Sequence, residues 1–194
     1  MKSTSPFGGD ENDTLDGRGG ADVLTGGAGS DTADYSGSLV GVDIDLEAGT
    51  ATGGDAQGDT LTQIENLIGS DGTDSLTGTD DVNSLEGGDQ NDVLAGALGG
   101  DTLDGGEGVD TADYRDSELA VDVSLQTNSG TGGDAEGDTL VSIEVVRGSS
   151  LGDTLDGSDT INETLYGEGG NDTMLGSAGN DSFFGGSGSD TVSY

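Results

Sequence analysis

The chain has 194 residues, a formal net charge of −36 from 40 Asp plus Glu against 4 Lys plus Arg, 40 Gly, one Pro, and no Cys, His or Trp. Zinc and haem sites built on Cys or His, Ser–His or Cys nucleophiles and disulfide scaffolds are therefore excluded, and nucleic acid and anionic membranes are not expected as partners. With 29% hydrophobic and 4% aromatic residues, the composition is that of a disordered chain unless something compensates, and the carboxylates point to cations.

Residues 1–7 read as a short leader without the charged-then-apolar pattern of a secretory signal. From Gly8 the chain falls into blocks of nine: GGDENDTLD (8–16), GRGGADVLT (17–25) and GGAGSDTAD (26–34). A long segment, 35–68, follows. A second nonapeptide run covers 69–113 in five blocks, a second long segment covers 114–147, and a third run covers 148–194. The common block is G-G-x-G-x-D-x-U-x, with U apolar. The long segments match each other without a gap at an offset of 79, so an outer repeat encloses the inner one. A disordered acidic tract would not hold Asp and an apolar residue in fixed phase.

Glycines at positions 1, 2 and 4 permit left-handed backbone and close approach of carbonyls. The last three residues of a block form a very short strand whose centre points one way and whose flanks point the other. One apolar residue per nine makes neither a helical stripe nor a hairpin face. It suits a coil in which two blocks make one rung, block n stacks on block n+2, and the U residues fill two inner columns. These are Leu15, Leu24, Ala33, Leu76, Leu85, Leu94, Leu103, Ala112, Leu155, Leu165, Met174, Phe183 and Val192.

Stacking at about 4.8 Å per rung brings the position-6 carboxylates of successive turns together, where they repel. A divalent cation between turns reverses the sign of that interaction. Calcium fits the chemistry, because it takes 6–8 oxygens and mixes carboxylates with backbone carbonyls; magnesium demands a strict octahedron. Transition metals favour the nitrogen and sulfur ligands missing here.

The block resembles the signature of RTX proteins, the haemolysin-type calcium-binding repeats, and the long segments resemble those in large secreted bacterial RTX proteins. The resemblance implies an all-β fold, a right-handed parallel β-roll or β-helix solenoid with calcium between stacked turns. It also implies type I secretion and folding on meeting extracellular calcium, at the cell surface or beyond it. Carried over, the position-6 ligands are Asp13, Asp22, Asp31, Asp74, Asp92, Asp101, Asp110, Asp153, Asp172, Asp181 and Asp190. Turn carbonyls that would complete the shells include those of Gly8, Gly26, Gly69, Gly87, Gly96, Gly99, Gly105, Gly108, Gly148, Gly167, Gly170, Gly176, Gly179, Gly185 and Gly188. About six to ten ions are expected.

Some blocks depart from the pattern. Asn83 and Asn162 stand in place of the Asp, Arg18 replaces a turn glycine, and block 157–166 is one residue too long. In the long segments, Val40, Val42, Ile44 and Leu46, and likewise Leu119, Val121, Val123 and Leu125, alternate as a half-buried strand. Gly53 to Asp59 and Gly132 to Asp138 resemble lengthened calcium turns, which adds Asp55, Asp59, Asp134 and Asp138 as candidate ligands. Each long segment is expected to be a wider rung that keeps the roll continuous; a flap outside it is the alternative. Tyr35 and Tyr114 are expected to cover the step where the roll widens, rather than to stack on a ligand. The phrase that opens each long segment recurs at Tyr194, which reads as a cut from a longer array.

No nucleophile elbow or zinc-protease motif occurs, and carboxylate pairs are too common to mark a glycosidase. The expected role is a non-catalytic calcium-dependent folding and spacer module of a secreted bacterial protein. The alternatives are an adhesive, surface-layer or matrix-binding surface with calcium-bridged self-association, or an accessory domain of a secreted enzyme or toxin.

Overall fold

The computed structural model describes residues 3–159 and 162–194. The first two residues of the leader, and residues 160 and 161 of the lengthened block, lie outside this range. Among the described residues the regular structure consists of short β-strands joined by turns, apart from two three-residue 3-10 turns, Gly54–Ala56 and Gly133–Ala135. The strands form two sheets of eleven. In spatial order, the first wall holds Phe7–Asp10, Val23–Ala28, Thr60–Thr62, Thr50–Thr52, Asp43–Asp45, Ser75–Thr77, Val93–Ala95, Thr111–Asp113, Val145–Arg147, Thr164–Tyr166 and Ser182–Phe184. The second holds Thr14–Leu15, Thr32–Asp34, Asn66–Ile68, Ser84–Asp89, Thr102–Glu107, Thr139–Val141, Ser129–Thr131, Asp122–Ser124, Thr154–Asp156, Thr173–Leu175 and Thr191–Ser193. This two-walled coil is the β-roll that the resemblance implies.

Within the nonapeptide runs the pairing is parallel, and block n lies on block n+2. Thr14 pairs with Thr32, Ser75 with Val93, Leu85 with Leu103 and Thr173 with Thr191. Most strands have three residues, and only the middle side chain is buried, as in Ser75–Thr77 and Thr154–Asp156. These middle residues stack into the core. Every U residue from Leu15 to Met174 is buried; Phe183 is partly buried and Val192 is exposed, both on the last rung described.

Many of the turns adopt positive φ at block positions 2 and 4, and at some of them the residue is not glycine. Gly27 and Gly29 have φ of 121° and 149°, but Gln90, Ala97 and Glu168 also have positive φ. Arg18 adopts φ 57°, and its exposed side chain turns outward to pair with Asp16. At Gly27 a β-carbon would overlap the carbonyl of Gly9 on the neighbouring rung, so close stacking of turn on turn requires glycine there.

The long segments depart from the wide-rung expectation. Each is a three-stranded antiparallel meander built into one wall, not a flap. In the first, Asp43–Asp45 pairs antiparallel with Thr50–Thr52, which pairs antiparallel with Thr60–Thr62. The outer strands of the meander rejoin the parallel sheet through Val23–Ala28 on one side and Ser75–Thr77 on the other. The opposite wall receives one strand, Asn66–Ile68. Alternation holds for Val42 and Ile44 but stops at Val40, which is exposed because the chain turns at Ser38, whose hydroxyl donates to the Val40 carbonyl. Leu119 is exposed for the same reason, at Ser117.

The second segment builds the same meander into the other wall. Five blocks, an odd number, separate the two segments, so the chain enters the second one from the opposite side. A meander lengthens its wall by two strands, or about 10 Å. One on each wall restores equal length, and both sheets reach eleven strands.

Candidate metal centre

The position-6 residue ends each turn and opens each strand, which places its side chain at the edge of the core. Its carboxylate accepts a hydrogen bond from the position-6 amide of the rung before. Asp13 donates to Asp31 Oδ1 at 2.8 Å, Asp74 to Asp92 at 2.8 Å, Asp92 to Asp110 at 2.8 Å and Asp153 to Asp172 at 2.9 Å. A ladder of carboxylates thus runs along each wall. Asp22, Asp31, Asp74, Asp92, Asp101, Asp110, Asp153 and Asp172 are buried on these ladders, as are Asp59 and Asp138. Asp181 and Asp190 close the ladders in more open surroundings, accepting from Glu163 and Asp172.

The second carboxylate oxygen distinguishes the positions. Asp13, Asp22, Asp31, Asp92, Asp101, Asp110 and Asp172 each carry a buried Oδ2 that has no hydrogen-bond partner, and so does Oε2 of Glu163. A buried anionic oxygen without a partner is costly. Each of these eight is held facing the turn of its own block. A β-carbon on Gly8 would sit 2.6 Å from Asp13 Oδ2 and 2.6 Å from the Gly26 carbonyl oxygen. On Gly87 it would sit 2.5 Å from Asp92 Oδ2 and 2.7 Å from the Gly105 carbonyl. Gly26, Gly69, Gly105 and Gly167 likewise face their own block's carboxylate and a carbonyl of the next rung, while Gly96, Gly148 and Gly185 face the carboxylate. Gly99, Gly108, Gly170 and Gly188 pack on backbone of the preceding rung, and Gly176 lies against Phe183 and Asp181. Glycine at position 1 therefore keeps open a space lined by oxygen.

Burial pushes the carboxyls of Asp92 and Asp101 up to about 7. It also raises Asp110, Asp153, Asp172 and Glu163, in each case as the largest cause. A chain that holds these groups ionised needs a compensating positive charge. Among the described residues no three carboxylates meet at one point. A cation there would draw most of its oxygens from the backbone. An all-oxygen donor set of few carboxylates and many carbonyls fits a hard, geometrically tolerant ion, which is the chemistry of calcium.

Three ladder members escaped the sequence reading. Glu65 and Glu144 accept from the amides of Asp31 and Asp110 with Oε2, so the I-E pairs of the long segments continue the ladder. In the lengthened block Glu163, not Asn162, takes the position-6 place. Glu163 is buried and its amide donates to Asp181, while Asn162 accepts the Asn180 amide. Asn12, Asn91 and Asn171 act like Asn162, each receiving the amide of the residue eighteen further on. The N-E-T-L-Y phrase matched to N-D-T-M-L would have placed Glu163 correctly. At Asn83 the side-chain amide donates to the Glu65 carbonyl at 2.7 Å. Asp55 and Asp134 lie in the two 3-10 turns, off the ladders.

A family model for the RTX calcium-binding nonapeptide repeat matches residues 7–35, 68–103, 77–112 and 153–192, more than half of the chain. The chain belongs to the RTX calcium-binding repeat family. No curated protein matches it. The matched stretches of this RTX chain leave out residues 36–67 and 113–152, where the two meanders lie. The RTX chain is thus a calcium-binding β-roll module whose repeats are interrupted twice.

Proposed function

We propose that this module folds when it meets extracellular calcium after type I secretion, and serves as a stiff spacer within a secreted bacterial protein. The eight buried, partnerless carboxylate oxygens carry this reading. With them ionised and unmatched, burial works against the roll; with a cation beside each, the same burial strengthens the attraction. The ligands are proposed to be the orphaned carboxylates of Asp13, Asp22, Asp31, Asp92, Asp101, Asp110, Glu163 and Asp172, with turn carbonyls. At tenfold excess over its dissociation constant one ion adds about 1.4 kcal/mol, so a handful of sites amounts to a domain's whole stability.

In low calcium the nonapeptide runs of the cytosolic chain would stay extended, which suits passage through a secretion channel. Far-UV circular dichroism during a calcium titration at pH 7.5 tests this reading. A coil-to-β transition at millimolar calcium or below, not reproduced by equal magnesium, is expected. A β-spectrum unchanged by chelation contradicts it.

A further inference from the structure

We propose that the two meanders are calcium-independent junctions, because protein donors take the place of the cation at Asp59, Asp74, Asp138 and Asp153. The inference rests on the reading that the orphaned ladder oxygens hold calcium.

Asp59 and Asp138 stand on the ladders like the others, with Oδ1 accepting the amides of Asp22 (2.7 Å) and Asp101 (2.8 Å). Their Oδ2 atoms are not orphaned. Tyr35 Oη donates to Asp59 Oδ2 at 3.1 Å, and Tyr114 Oη donates to Asp138 Oδ2 at 2.9 Å. Both rings are 2% exposed, which excludes ligand stacking and fills the space beside the carboxylate with carbon. A hydroxyl proton aimed at Oδ2 puts positive charge where a cation would otherwise bind, and the ring leaves no room for the 6–8 oxygens calcium requires.

The far side of each meander is closed by serine. Asp74 receives the Ser70 amide on Oδ2 (2.6 Å), and the Ser70 hydroxyl (2.8 Å) and Val42 amide (2.6 Å) on Oδ1. Asp153 receives the Ser149 amide on Oδ2 (2.7 Å), and the Ser149 hydroxyl and Val121 amide on Oδ1 (both 2.8 Å). Tyrosine closes one flank of each meander and serine the other, in both copies, and none of these four carboxylates has an orphaned oxygen. The meanders also have antiparallel pairing of their own, independent of turn ions. On losing calcium the roll should therefore open run by run between two persisting junctions, from which it refolds.

The test counts calcium ions per chain by native mass spectrometry on the full chain. Asp59→Asn and Asp138→Asn keep an acceptor for the ladder amide and a partner for the tyrosine hydroxyl. Each is expected to bind as many ions as the unsubstituted chain, whereas Asp92→Asn and Asp101→Asn each lose one. Loss of an ion in Asp59→Asn or Asp138→Asn overturns the inference. Hydrogen exchange on the unsubstituted chain gives a second readout that no folding defect can obscure. After chelation, amides of 43–62 and 122–141 should stay protected while those of 84–107 exchange. Equal loss of protection overturns the inference but leaves the calcium reading standing. Exchange unchanged everywhere overturns both.

Discussion

In calcium-free buffer the chain should gain β-structure as the pH is lowered from 8 to 5. Burial holds the Asp92 and Asp101 carboxyls at about 7 in the folded roll, against 3.8 for the ordinary side chain, and raises Asp110, Asp153, Asp172 and Glu163 as well. Between those limits the folded state binds more protons than the unfolded one, so stability falls as pH rises. The contribution is complete below 3.8 and is lost as the pH climbs through about 7. For this set it amounts to several kcal/mol, on the order of a small domain's stability. A proton thus stands in for the cation by removing the charge, without supplying the ligand bridge. The titration should stop above the isoelectric point of about 4.1, where neutral chains associate. The calcium midpoint should move to higher concentration over the same range, because protons and calcium compete for one oxygen. Circular dichroism at low micromolar chain checks both. A calcium-free spectrum that stays coil down to pH 5 contradicts the burial argument.

Gly87→Ala should cost one calcium ion and about 2–3 kcal/mol. Its backbone is not left-handed, so the substitution carries no conformational strain. The added methyl lies 2.5 Å from Asp92 Oδ2 and 2.7 Å from the Gly105 carbonyl, inside the oxygen-lined space itself. Gly37→Ala is the matched control, with nothing within 4 Å of its β-carbon. It should leave the ion count and the melting temperature unchanged, or raise the latter slightly through the unfolded state. Thermal melts with and without calcium separate the two effects. The Gly87→Ala loss should be larger with calcium, since only the loaded roll uses that space. An unchanged ion count in Gly87→Ala would place the ion elsewhere.

The roll was legible in the sequence because its period is carried by three residue types with separate physical duties. Glycine permits the turn, the apolar eighth residue fills a column, and the sixth-position carboxylate faces the stack. Leu85 and Leu103, eighteen apart, could be paired from that alone, and they pair. The meanders were not legible, because antiparallel strands of three residues such as Thr50–Thr52 leave no period of their own. Their placement on opposite walls follows from a count of five blocks that acquires meaning only once the walls exist. Glu163 was missed because an inserted residue shifts it by one within its block. Glu65 was missed because a glutamate reaches the ladder from one methylene further out than aspartate does. The part of Tyr35 was half legible: its burial followed from the small Ala33 before it, but its hydrogen bond to Asp59, twenty-four residues on, depends on the meander's return path.

Anomalous diffraction from crystals grown in calcium tests the central claim most directly. Peaks within about 2.3–2.6 Å of the free oxygens of Asp92, Asp101, Asp110 and Asp172 are predicted, with none beside Asp59 or Asp138. A well-ordered roll whose orphaned oxygens face only water would contradict the account.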